Sequence, residues 1–297
     1  MDVLRTDDSR FVGLPGFDFA PHYLDDLAGY DGLRIHYLDE GPAEATETFL
    51  CLHGQPTWSY LYRKMIPVFT GAGRRVIAPD LLGFGRSDKP VDERVYTFAF
   101  HRGMLMALIE RLGLQRVTLV CQDWGGILGL TIPPAMPERF VRLLVMNTTI
   151  PLGQPVSEGF DRWRAFNRSQ PDLDVAALMQ RSQPDMTIAE ASAYAAPFPD
   201  ARFKAGVRRF PELVMTDPGM AGIVEAERAV RFWREEWTSP TFMAVGMTDP
   251  VLGPEVMARL RATIHGCPPP LEVADGGHFV QEKGEGIARA ALAAFGL

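Results

Sequence analysis

Asp123 stands where a carboxylate can act as a nucleophile. The apolar run Val117 to Gln122 leads straight into it, and Trp124, Gly125 and Gly126 follow. A strand that turns sharply into a helix at such a point forms a nucleophile elbow, which lifts the central side chain into a site. A carboxylate can displace a leaving group from saturated carbon, leaving a covalent alkyl ester that water must hydrolyse. The simpler alternative is that Asp123 only caps the following helix, because Asp is a favoured N-cap residue.

Hydrolysis of such an ester needs a base, and His278 is the candidate. It follows the apolar stretch Leu271 to Ala274 in a glycine-containing loop. In the α/β-hydrolase fold the triad runs nucleophile, acid, histidine along the chain. Asp249 fits this order, because it follows the apolar run Phe242 to Gly246. Its carboxylate would accept the imidazole N–H, fix the tautomer and stabilise the imidazolium that forms when His278 deprotonates water.

Two other positions are considered for the acid. Asp275 precedes His278 by only three residues, which suits a residue that shapes the loop. A carboxylate could also follow the strand that ends at Met146, but Asn147 stands there and an amide carries no charge. Asp249 is therefore the predicted acid.

The loop around Gln55 is the predicted source of an oxyanion donor. It carries His53-Gly54-Gln55-Pro56 directly after another apolar run. We expect the backbone N–H groups of Gln55 and Trp124 to face the carbonyl oxygen of an ester on Asp123. They would stabilise the negative charge that collects there when water attacks. The alternative is an ordinary turn between a strand and a helix.

The elements that must position these residues follow an alternating rhythm of strands and helices, which predicts a mostly parallel sheet with crossover helices. Apolar runs at 49–53, 75–79, 117–122, 141–147, 242–246 and 271–274 are the predicted strands. Residues 33–39 alternate more and are predicted as an antiparallel edge strand. Helical periodicity is clearest at 98–112, 255–264 and 287–295.

Between about residues 151 and 220 the rhythm breaks, and helical pieces such as Leu173 to Arg181 replace strands altogether. We predict a helical cap at 155–218, inserted in a core formed by 1–154 and 219–297. Because the cap follows the strand ending at Asn147, it should lie above the carboxyl ends of the strands. Open α/β sheets bind their ligands at that edge.

Composition limits the classes of protein that need to be considered. The 297 residues are 46% apolar and 23% charged, which is ordinary for a globular protein. A net charge of −7 without a basic block argues against a nucleic-acid or membrane-surface partner. No apolar run approaches the ~20 residues of a spanning helix. The three cysteines form no C-x-x-C pair, so we expect no disulfide or zinc, and a cytoplasmic protein.

With these residues in view, the chain resembles the haloalkane dehalogenases of the α/β-hydrolase fold, nearly end to end. The stretches that carry the resemblance are His53 to Pro67, Gln122 to Gly126, Glu190 to Pro199 and Gly277 to Glu282. They look most like the subfamily whose acid follows the seventh strand, here Asp249. The resemblance implies hydrolysis of a carbon–halogen bond to a primary alcohol, halide and a proton, with no cofactor.

The resemblance also implies a halide site. In that subfamily two indole N–H groups hold the departing halide, one directly after the nucleophile and one in the cap. The matching residues are Trp124 and Trp163, the second in the stretch Gly159 to Trp163, where Phe160 would form a pocket wall. Indole is only a donor, so it binds an anion without competing for it. Trp163 could instead anchor the cap, and Gln55 could supplement or replace it, since another subfamily places a halide-binding Asn there.

Three rival functions are weighed. An epoxide hydrolase shares the aspartate, the histidine and an H-G-x-P loop, but needs cap tyrosines, and Tyr194 is the only tyrosine between Pro151 and Leu297. A fluoroacetate-type dehalogenase needs a cation beside the nucleophile, where Trp124 stands. A non-catalytic binder of small molecules could keep the fold without the chemistry. We expect a monomer that takes a small apolar halogenated substrate.

Overall fold

The structure, a computed structural model, describes residues 1–297 and is built on one large sheet. Its strands are β1 (Val3–Leu4), β2 (His22–Leu24), β3 (Ile35–Glu40), β4 (Thr48–Leu52), β5 (Arg75–Pro79), β6 (Lys89–Pro90), β7 (Val117–Cys121), β8 (Phe140–Met146), β9 (Thr241–Gly246) and β10 (Leu271–Val273). Eight of them form a sheet in the order β10-β9-β8-β7-β4-β5-β3-β2. Neighbours pair in parallel from β10 to β5 and antiparallel at β3 and β2. β1 and β6 pair separately.

Ten α-helices accompany the strands. They are α1 (Ile66–Gly71), α2 (Phe98–Arg111), α3 (Asp123–Gly129), α4 (Glu158–Ser169), α5 (Val175–Ser182), α6 (Ile188–Ala195), α7 (Ala205–Leu213), α8 (Ile223–Glu235), α9 (Pro254–Thr263) and α10 (Gly284–Phe295). Several begin where a side chain accepts an otherwise unpaired N–H: Ser157 does so for α4 and Asp174 for α5. No helix is both long enough and apolar enough to cross a bilayer.

The predicted α/β class, with a mostly parallel sheet and a helical insertion, is confirmed. The six predicted apolar strands are all present, with bounds that differ by at most one residue. β3 is antiparallel as predicted, but β2 and not β3 forms the edge of the sheet. β2 is three residues long and only partly buried, so it has no apolar run by which the sequence could have revealed it.

The centre of the sheet is buried on both faces. Every residue of β4 and of β7 is buried, as expected for parallel strands covered by helices on both sides. Their apolar residues belong to one hydrophobic cluster of 81 buried residues. This rigid centre ends, at its carboxyl edge, in the loops that carry Gln55 and Asp123.

The insertion between β8 and α8 contains α4 to α7 and is tied to the core by buried polar contacts. The Trp58 indole donates to the carbonyl oxygen of Ala193 at 3.2 Å. The Arg63 guanidinium, 2% exposed, lies between Glu190 of α6 at 2.9 Å and Glu282 at 2.6 Å. Three of the stretches that carry the family resemblance therefore meet at this ion pair, which joins the insertion to the loop after His278.

Candidate active site

Asp123 occupies a strained turn between β7 and α3. Its φ of +49° lies in the left-handed region, which costs free energy for a residue with a side chain. The turn is held by the Asp123 N–H, which donates to the Asn147 carbonyl at 2.9 Å, and by the Thr148 hydroxyl, which donates to the Asp123 carbonyl at 2.7 Å. A Cβ at Gly125 would collide with the Leu52 carbonyl oxygen, so only glycine fits two residues after the aspartate.

The two oxygens of the Asp123 carboxylate have different partners. Oδ1 accepts the Gln55 backbone N–H at 2.8 Å, and Oδ2 lies 3.5 Å from Nε2 of His278. The second predicted oxyanion donor, the Trp124 N–H, makes no hydrogen bond to this carboxylate; it is one of the first-turn N–H groups of α3 that have no acceptor within the helix. A Cβ at Gly54 would collide with Oδ1, so glycine is needed for the close approach.

His278 and Asp249 form the predicted pair. Nδ1 of His278 lies 2.9 Å from Oδ2 of Asp249. The other oxygen, Oδ1, accepts the backbone N–H groups of Val251 and Leu252 at 2.8 and 3.1 Å. The Asp249 side chain is fully buried, whereas the His278 side chain is 14% exposed. The histidine therefore presents its second nitrogen to the site, while the acid stays behind it.

Neighbouring charges and hydrogen bonds shift the pKa values of Asp249 and His278. Burial alone would raise the pKa of Asp249, but His278 and the N–H groups of Val251 and Leu252 outweigh it, and the pKa is lowered. Burial alone would lower the pKa of His278, but Asp249 and Asp123 outweigh it and raise the pKa to about 10. Both carboxylates therefore favour an imidazolium in the resting protein.

A cavity of 1320 Å³ opens in front of these residues. The predicted site residues that line it are Gln55, Asp123, Trp124, Phe160, Trp163 and His278. The structure thus brings residues from three core loops and from α4 of the insertion to one space. Asp249 does not line the cavity and reaches it only through His278. No group of three or more His, Cys, Asp or Glu side chains is placed to hold a metal ion.

The five tryptophans fall into two groups according to their indole N–H. Three donate to protein acceptors: Trp58 to Ala193, Trp233 to Leu130 and Trp237 to Thr241. The N–H groups of Trp124 and Trp163 have no acceptor in the protein, and both residues line the cavity. The two unpartnered donors are the two that the resemblance assigns to halide.

Two other residues considered in the sequence have different surroundings. The side-chain amide of Gln55 donates to the carbonyl oxygen of Val207 in α7 at 2.9 Å, so one of its N–H groups is directed at the insertion. Asp275, the rival acid, pairs with Lys283 at 2.6 Å and is 71% exposed. It makes no hydrogen bond or ion pair with the imidazole, whereas Asp249 does.

Comparison with known proteins agrees with this geometry. A family profile described as alpha/beta hydrolase fold matches residues 47–285. A haloalkane dehalogenase of Psychrobacter cryohalolentis is 43% identical over 97% of this chain and 96% of its own length. Haloalkane dehalogenase 1 of Mycobacterium tuberculosis is 44% identical over 95% of this chain and 94% of its own.

The chain belongs to the haloalkane dehalogenase family. A solved haloalkane dehalogenase from Paraglaciecola agarilytica, described as tetrameric, superposes with a TM-score of 0.98 at 52% identity and covers 99% of both chains. The expected family is confirmed. That relative is a tetramer, whereas a monomer is expected from the sequence of this chain.

Sequence reasoning missed the residues that support the site from behind. In this dehalogenase Asn147 is fully buried, and its amide donates to Oδ2 of Asp249 at 3.0 Å while its oxygen accepts the Gly246 N–H at 2.8 Å. The uncharged amide of Asn147 cannot stabilise an imidazolium itself, but it holds the Asp249 carboxylate, which can. Its place at the carboxyl end of β8, where open α/β sheets put site residues, was the available signal.

Proposed function

We propose that the chain hydrolyses haloalkanes in two steps through an alkyl ester on Asp123. The observation that carries this proposal is that one cavity holds the Asp123 carboxylate, the free nitrogen of His278 and the unpartnered N–H groups of Trp124 and Trp163. A nucleophile, a base and anion donors are the groups that displacement and hydrolysis require.

The first step is displacement at saturated carbon. Because the Gln55 N–H holds Oδ1 of Asp123 at 2.8 Å, Oδ2 is the oxygen that attacks. Its electron pair forms the carbon–oxygen bond as the carbon–halogen bond breaks, and the halogen leaves as halide. The indole N–H groups of Trp124 and Trp163 receive it, and they stabilise charge that exists in the transition state but not in the neutral haloalkane.

The second step is hydrolysis of the ester. Once Asp123 is alkylated it has no negative charge, so one of the two carboxylates that raise the pKa of His278 to about 10 is removed. His278 can then take a proton from water through Nε2 while the hydroxide attacks the ester carbonyl carbon. The Gln55 N–H faces the oxygen that becomes negative. The bond between that carbon and the alkoxy oxygen then breaks, and the alkoxide takes the proton held on Nε2 of His278 and leaves as the alcohol. The carboxylic acid formed on Asp123 loses its proton to water, which regenerates the carboxylate and releases the proton of the overall reaction.

The boundaries of the cap are part of the proposal. Residues 155–218 contain α4 to α7 and contribute Phe160 and Trp163 to the cavity wall. Substrate size would therefore be limited by this segment, while the reacting groups come from the core segments 1–154 and 219–297.

The epoxide hydrolase alternative is disfavoured by the position of Tyr194. Its ring is fully buried, its hydroxyl donates to the Glu282 carboxylate, and it does not line the cavity. A tyrosine that protonates an epoxide oxygen must reach that oxygen from the cavity. A non-catalytic binder, in turn, gives no reason for a left-handed aspartate facing a histidine–aspartate pair.

The alkyl ester is the decisive species. A His278→Gln variant mixed with 1-bromohexane should release about one halide per protein and gain the mass of one hexyl group on the peptide containing Asp123, because hydrolysis is blocked after displacement. Asp123→Asn is the matched control and should gain no mass. An unlabelled Asp123 in the His278 variant would refute the mechanism.

We also propose that the working unit is a monomer, in which one cavity carries the reacting groups that the mechanism uses. Light scattering after size-exclusion chromatography should then report a mass near 33.0 kDa. A mass about fourfold larger would instead place this chain with its tetrameric relative from Paraglaciecola agarilytica.

A further inference from the structure

Gln122, directly before Asp123, has a fully buried side chain that contacts the base. Its amide nitrogen donates to the backbone carbonyl of His278 at 2.9 Å and lies 3.3 Å from the ring nitrogen Nε2 of the same residue. Its amide oxygen accepts from the Gln281 amide at 3.4 Å. One side chain therefore contacts both the backbone and the ring of the histidine, although it does not line the cavity.

The orientation of this amide follows from its partners. A backbone carbonyl only accepts, so the atom of Gln122 that faces the His278 carbonyl must be nitrogen, and both N–H groups lie on that side. Because Nδ1 of His278 donates to Asp249, the neutral ring carries its lone pair on Nε2. The second N–H of Gln122 therefore points at a lone pair when His278 is neutral, and at an N–H bond when it is protonated.

We infer that Gln122 is a positioning residue that donates a hydrogen bond to Nε2 of neutral His278 and so favours the form of the base that ester hydrolysis needs. This inference rests on the proposed function, since it concerns the second step of that mechanism. At 3.3 Å the hydrogen bond is long and weak, so a water molecule entering from the cavity can displace it and take over the lone pair.

The other groups around His278 act differently. Asp249 behind the ring and Asp123 in front of it both favour the protonated form. From the insertion, Arg181 lines the cavity with its guanidinium over the Phe166 ring at 5.4 Å. Gln183 donates only to the Phe279 backbone carbonyl, at 3.4 Å. Gln122 is thus the hydrogen-bond donor that reaches Nε2.

Gln183 provides a matched control, because it is a second buried glutamine that holds the same loop by a backbone carbonyl. Gln122→Met removes both the tether to the loop and the donor to the ring, whereas Gln183→Met removes only a tether. Gln122→Glu keeps the size of the side chain but puts a carboxylate beside the ring. This variant provides the test if Gln122→Met does not fold. Rapid-quench kinetics with 1-bromohexane would follow halide and alcohol separately in the first turnover over a range of pH.

Loss of the donor should raise the pH midpoint of the acid limb of alcohol release. For Gln122→Met we expect a shift of about 0.5 to 1 pH unit, so that alcohol release on that limb is about three- to tenfold slower. Gln122→Glu should shift it further in the same direction. Halide release should change less than about twofold in every variant, and Gln183→Met should keep the original midpoint.

Equal midpoints in Gln122→Met, Gln122→Glu and the unaltered protein would overturn the inference, as would the same shift in Gln183→Met. Either result would leave the proposed function standing, because that function is tested with the unaltered protein alone. If that protein releases no halide or no alcohol, the two-step mechanism fails before the glutamine is considered.

Discussion

Two histidines of this protein pair with an aspartate through Nδ1, and the pairs differ in what surrounds the other ring nitrogen, Nε2. His36 lies 2.7 Å from Asp80, with both side chains fully buried. His278 lies 2.9 Å from Asp249, with the histidine 14% exposed. In both pairs Nδ1 faces the carboxylate. Nε2 of His36 is buried and has no partner, whereas Nε2 of His278 faces Asp123.

Asp80 is surrounded by donors that hold loops together. It accepts the Ser59 and Arg86 backbone N–H groups at 2.7 and 2.8 Å as well as the His36 ring. A Cβ at Gly85 would collide with its carboxylate. Asp80 thus joins β3, the segment that begins at Ser59 and the loop of Arg86 at the end of β5, and neither Asp80 nor His36 lines the cavity.

The comparison shows that pairing with a carboxylate is not sufficient for a histidine to act as a catalytic base. Catalysis requires that the nitrogen opposite the pair open into a cavity where another reactive group lies. His278 meets this condition beside Asp123, and His36 does not. Four predictions test this contrast, ordered by the size of the expected effect.

Asp249→Asn should abolish most turnover while the protein stays folded. An asparagine can donate to Nδ1 of His278 and so favours the wrong tautomer, which in related triads costs about 10⁴ in rate. We expect alcohol release to fall by about 10³ to 10⁴, with circular dichroism unchanged. A loss smaller than about tenfold would show that Asp249 does not act through His278.

Asp80→Asn should do the reverse and lower stability rather than rate. The substitution weakens the acceptor of a buried imidazole and of the Ser59 and Arg86 backbone N–H groups. Leaving such buried donors poorly paired costs about 3 kcal/mol, and we expect urea unfolding to show a decrease of that order. Turnover per folded molecule, measured well below the unfolding temperature, should stay within about twofold. A selective loss of rate in this variant would mean that the two pairs are not functionally distinct.

The same contrast between partnered and free groups applies to the tryptophans. Trp163→Phe removes an unpartnered donor and should weaken bromide binding about tenfold, measured by bromide quenching of the remaining tryptophan fluorescence. Trp237→Phe, whose indole already donates to Thr241 at 2.9 Å, is the control and should leave bromide affinity unchanged. If Trp163→Phe lowers only stability, the residue is an apolar anchor of the cap.

The two pairs should also affect stability at opposite ends of the pH range. Burial opposes the charge of Asp80, but His36, His53 and the Ser59 N–H together outweigh it and lower the pKa from 3.8 to about 2. This contribution is complete above pH 3.8 and is lost as the pH falls through 2. The raised pKa of His278 adds stability that is complete below pH 6.5 and is lost as the pH rises through 10.

Urea unfolding over a pH series separates these contributions. Between about pH 5 and pH 3 the unfolding free energy of Asp80→Asn should fall by about 1 kcal/mol less than that of the unaltered protein. His278→Gln should flatten the alkaline side. Because it also removes the charge that lowers the pKa of Asp249, it should flatten the acid side as well. Parallel curves for all three proteins would contradict both assignments.

Much of the fold was predictable because its signals are local. Apolar runs bounded by turn residues marked the six parallel strands within one residue, and a run of Pro- and Ala-rich helical pieces marked the insertion. The edge strand β2, of three residues, was missed because its existence depends on pairing with β3 and not on its own composition.

The sequence by itself determined which reactive residue types are present and in what order. The turn at Asp123, and the positions of Asp249 and His278 after apolar runs, can be recognised from short segments of the chain. Only the tertiary structure decided which indole N–H groups remain free and that Asn147 and Gln122 support the acid and the base. Those contacts join residues more than a hundred positions apart. They depend on strand order and side-chain packing, to which no local pattern of residues corresponds.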